Sequence, residues 1–92
     1  MILTIEEARD ALRLDGTDND AVILSLLDAI PHYLEVTTGR SWDVDPVHPM
    51  AKTAAKCILQ LWYYPQDPDT DRLGKTIDSL MVAMTVIGRT LS

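Results

Sequence analysis

The stretch that decides the fold is LRLDGTDNDAVILSLLDAIPHYLEVTTGRSW, residues Leu12 to Trp42. Leu12-Arg13-Leu14 closes an apolar-patterned segment, and Asp15-Gly16 is a turn pair whose glycine can adopt positive φ. Thr17-Asp18-Asn19-Asp20 offers several helix N-caps, of which Asp18 is the best placed. From there Ile23, Leu26, Leu27, Ile30, Leu34 and Thr37 recur at helical spacing, with Tyr33 at the edge of the stripe. Val22 and Leu24 widen it beyond what a lone surface helix needs. Gly39 stops the helix after Thr38, just before Arg40 and Trp42.

Pro31 breaks the local rule. Its ring clashes with the carbonyl of Leu27 and removes one hydrogen bond, at a cost of about 3 kcal/mol in a helix interior. The stripe keeps its phase across it, which predicts a kinked single helix. The alternative is two helices meeting at Ala29–Pro31.

Working outward, Thr4 and Glu7 form a capping box, so a first helix starts at Thr4, with Ile5, Ala8 and Leu12 on one face, and ends near Leu14. Ser41 to Pro49 is a loop in which Asp45-Pro46 and His48-Pro49 hold the preceding residues out of the α region. Pro49 opens a third helix, whose stripe is Ala51, Ala54, Ala55, Ile58, Leu61 and Trp62. Its alanines allow another helix to come close, and it ends by Tyr64. Gln66 to Asp71 is a solvated acidic loop. A fourth helix is predicted over Lys75 to Met84, with Ile77, Leu80, Met81 and Met84 inward. Thr85-Val86-Ile87, β-branched and followed by Gly88, predicts an extended tail. The fold class is therefore all-α: a small bundle of about four helices in a single domain, residues 1–92, with a short irregular or extended C-terminal tail.

The chain has 92 residues, 47% of them apolar, and a net charge of −6 from 14 acids and 8 bases. That balance argues against a nucleic-acid reader, which needs a basic stripe to neutralise phosphates. Cys57 is the single cysteine, so no intrachain disulfide forms, and it reads as a small packing residue on the third helix. The start of the chain lacks a signal-peptide pattern, and no apolar run approaches ~18 residues, so neither secretion nor a membrane span is expected.

No catalytic, metal or cofactor constellation emerges. Asp15, Asp18 and Asp20 miss the calcium-loop spacing, because glycine directly follows the first acid and no glutamate closes the loop. His32 and His48 have no ligand spacing to each other or to Cys57. There is no Gly-x-Ser-x-Gly elbow and no glycine-rich phosphate loop. Arg40 and Trp42 stay open between two roles. Arginine after a helix end satisfies the last carbonyls and tryptophan covers a core, yet both types are enriched at interface hot spots.

The ordered set of elements resembles the head-tail connector family of tailed phages. The residues that carry the likeness are Leu3-Thr4-Ile5-Glu6-Glu7-Ala8, Leu12-Arg13-Leu14-Asp15 with Asp18-Asn19-Asp20, and Tyr33-Leu34-Glu35 leading to Thr38-Gly39-Arg40 and Trp42. Pro49, the alanine-rich helix ending Leu61-Trp62-Tyr63-Tyr64, and Ile77-Asp78-Ser79-Leu80 continue it. Pro31 departs from the family's unbroken helix, and the stop at Ser92 leaves little tail.

The resemblance implies a non-enzymatic structural protein of a phage or prophage, with no cofactor. Its subunits would form a homo-oligomeric ring, commonly of twelve copies, beneath the portal. The ring would extend the DNA channel and present a platform to a tail or stopper connector. DNA would pass through without sequence-specific binding, no membrane would be involved, and the protein would reside in the virion after a period in the host cytoplasm. On that reading Arg40, Trp42, Tyr33, Met81 and Met84 are the expected interface residues. The competing expectation is a small acidic helical module that binds or inhibits one host protein.

Overall fold

The computed structural model describes residues 2–91. Among them are four helices and no strand: α1 (Ile5–Leu12), α2 (Asp20–Thr38), α3 (Pro49–Tyr63) and α4 (Thr70–Leu91). The all-α bundle expected from the apolar periodicity is what the chain forms.

α1 begins with the expected reciprocal cap. Thr4 Oγ1 accepts from the Glu7 N–H at 3.1 Å, and the Thr4 N–H donates to Glu7 Oε1 at 3.0 Å. The helix ends earlier than its sequence suggests. Arg13, at φ 59°, takes the left-handed conformation expected of Gly16, and the Leu14 N–H turns back to the Arg9 carbonyl at 2.9 Å. Tertiary partners explain the early stop. Gln60 Nε2 donates to the Ala11 carbonyl at 2.9 Å, and the Tyr64 hydroxyl donates to the Leu12 carbonyl at 3.1 Å. Two side chains from the far end of α3 and its exit thus satisfy carbonyls that a helix end leaves open.

α2 runs without interruption from Asp20 to Thr38 through Pro31, so the alternative of two helices does not occur. Its first residue differs from expectation. Asn19 occupies the cap position without a side-chain bond, and Asp18 is not the cap. Ile23, Leu27, Ile30 and Leu34 are buried as the stripe requires. At the C-terminal turn the inward threonine is Thr38, not Thr37, which lies exposed. Gly39 closes the helix at φ 82°, its N–H bonded to the Glu35 carbonyl at 2.8 Å.

α3, like α2, touches each of the other three helices, and its widest contact is with α4. Pro49 is its first residue, as expected, and His48 Nδ1 accepts from the Met50 N–H at 3.0 Å, so His48 is its N-cap. Ala51, Ala54, Ala55 and Ile58 are buried. Leu59, absent from the predicted stripe, is buried as well, so the inner side of α3 is wider than that stripe.

α4 is longer at both ends than the predicted Lys75–Met84. It starts at Thr70, inside the expected acidic loop, and continues to Leu91, so Thr85-Val86-Ile87 is helical and not extended. Ile77, Met81, Met84 and Gly88 form its buried side. Gly88, which reads locally as a breaker, is instead a point of close packing. A Cβ there would lie 3.5–3.8 Å from the Arg40 side chain and the Trp42 ring. Contact with the loop after α2 stabilises a β-branched turn that weak local propensity would leave frayed. Ser92 lies outside the described residues.

Candidate interaction surfaces

Trp42 shows how the end of α2 is built. It is 3% exposed, and its indole Nε1–H donates to Thr38 Oγ1 at 2.8 Å. The Thr38 hydroxyl in turn donates to the Leu34 carbonyl at 2.7 Å. A buried indole keeps its polar atom satisfied through a residue one turn back, which is why threonine at 38 faces inward. His48 packs edge-on to the indole at 5.7 Å between centroids, and the Arg40 guanidinium carbon lies 5.8 Å from the ring centroid. Of the two roles open for Trp42, covering the core is the one the fold gives it.

The other expected interface residues separate in the same way. Met81 and Met84 are buried in the bundle and offer no free surface to a partner. Arg40 is half-buried against Trp42 and Gly88. Tyr33 is exposed and stacks edge-on with Trp62 of α3, 5.4 Å between centroids.

The exposed apolar side chains lie elsewhere. On α2, Val22, Ala29, Tyr33 and Val36 are exposed and, with the half-buried Leu26, recur at alternating steps of four and three, which sets them on one face beside the buried stripe. Val22 is 56% and Val36 72% exposed. A third face carries Ser25, Asp28, His32 and Glu35. On α4, Val82 and Val86 stand 67% and 55% exposed, one turn apart. The excess apolar width of α2 was visible in the sequence. On α4 the methionines of the sequence stripe face inward, as the periodicity requires, and the valines face out.

Among the described residues, no three His, Cys, Asp or Glu side chains converge in a way that could hold a metal ion. Burial pushes the Cys57 thiol above its ordinary range, which disfavours the nucleophilic thiolate at neutral pH. No helix among the described residues is long and apolar enough to cross a membrane. The loop Arg40–Pro49, with a cis Asp45–Pro46 bond, encloses an open hollow of about 540 Å³ lined by Trp42, Val44, Pro46 and Val47.

The charged groups with displaced titration hold the bundle together. Arg9 and Asp20 form a two-point ion pair between α1 and α2, with Nε to Oδ1 at 3.0 Å; it raises the arginine's pKa and lowers the aspartate's. Lys52 of α3 reaches Glu7 Oε2 at 2.9 Å. That ammonium, helped by the Thr4 N–H, lowers the Glu7 pKa from 4.5 to about 2.

A depressed carboxylate pKa contributes stability that is complete above the unfolded value and fades as pH falls toward the folded one. The contribution of the Glu7–Lys52 pair should therefore fade between about pH 4.5 and pH 2. Both side chains are about a third exposed, so screening keeps the effect near 1 kcal/mol or less. Urea unfolding at pH 5 and pH 2.5 should show a smaller drop for Lys52→Met than for the unaltered protein. Equal drops would remove Glu7 as a source of the acid sensitivity.

No protein-family model, curated protein or solved structure matches this chain.

Proposed function

We propose that the chain is a non-enzymatic structural subunit of the phage head-tail connector class. Copies assemble into a ring beneath a portal, extend the DNA channel, and receive the next connector or stopper of the tail. The observation that carries this reading is the second apolar face of α2, where Val22, Ala29, Tyr33 and Val36 stay exposed around a half-buried Leu26. Exposed contiguous apolar surface marks association, and an acidic subunit suits a channel that DNA slides through. The resemblance of the stretches from Thr4–Glu7 to Thr38-Gly39-Arg40 and Trp42 to that family suggests the biological setting: the virion, after synthesis in the host cytoplasm.

The test is the mass of the purified protein by size-exclusion chromatography with light scattering, alone and with portal. A large closed oligomer, or recruitment onto portal with ring-shaped particles in negative stain, supports the reading. A chain that stays monomeric and ignores portal, yet forms a one-to-one complex with a defined host protein, replaces it with the binding-module alternative.

A further inference from the structure

We draw no further inference here: the strongest candidate, the exposed apolar face of α2 formed by Val22, Ala29, Tyr33 and Val36, is already the basis of the proposed assembly, and nothing in the structure shows what covers it.

Discussion

Trp42→Ala should lower the stability of the folded chain by about 3–5 kcal/mol, the range for deleting a buried aromatic side chain. The indole is 3% exposed and lies at the junction of the α2 C-terminus, His48 and Gly88 of α4. Its loss opens a cavity and removes a hydrogen bond to Thr38. A domain of this size has a total stability on the order of 5–10 kcal/mol, so the variant should be close to unfolding at 37 °C. Thermal melting should fall by roughly 15 °C or more. Trp42→Phe separates the two contributions. It keeps much of the buried ring and removes only the Nε1 donor, and Thr38 still donates to the Leu34 carbonyl. It should cost about 1–2 kcal/mol beyond any repacking. If Trp42→Ala melts within a few degrees of the unaltered protein, the residue does not cover the core.

Leu59→Ala should cost about 2–5 kcal/mol, and Leu61→Ala distinctly less. The apolar stripe of α3 put Leu61 inward and left Leu59 out. The structure buries Leu59 completely and leaves Leu61 half-buried. Chemical denaturation of the two variants decides between the periodicity and the packing, because truncating a half-buried leucine loses less apolar contact than truncating a fully buried one. A larger loss at Leu61 than at Leu59 would show that the inner side of α3 does not extend to Leu59.

Errors of this kind share a cause. A helix stripe read from sequence assumes one inner face. That holds for α2, whose Ile23, Leu27, Ile30 and Leu34 are all buried, and for the inward methionines of α4. It fails for α3, whose buried side is wide enough to take in Leu59 as well as the alanine stripe. It also leaves open which of two adjacent apolar faces the core takes. Val22 and Val36 belong to the face the core does not use. The expected interface suffered accordingly: Tyr33 lies on that exposed face and Arg40 at the half-buried rim of Trp42, while Trp42, Met81 and Met84 are interior.

Helix ends divide along the same line. The Thr4–Glu7 cap, Pro49 as an opening residue and Gly39 as a stop involve residues within a few positions of one another, so local chemistry determines them. The stop of α1 at Leu12 depends on Gln60 and Tyr64, roughly fifty positions away, and the extension of α4 past Met84 involves packing on Arg40 and Trp42.

The sequence by itself determined the number of helices, the uninterrupted phase of α2 across Pro31, the cap that opens α1 and Pro49 as the first residue of α3. These rest on hydrogen bonds and periodicities that repeat within a few residues. Only the tertiary structure decided that Trp42 is a core residue bonded to Thr38, that Gly88 is a packing point inside a 22-residue helix, and that valines on α2 and α4 face solvent. Each of these depends on which of several compatible faces finds a partner, and that choice is made by the packing of whole helices against one another.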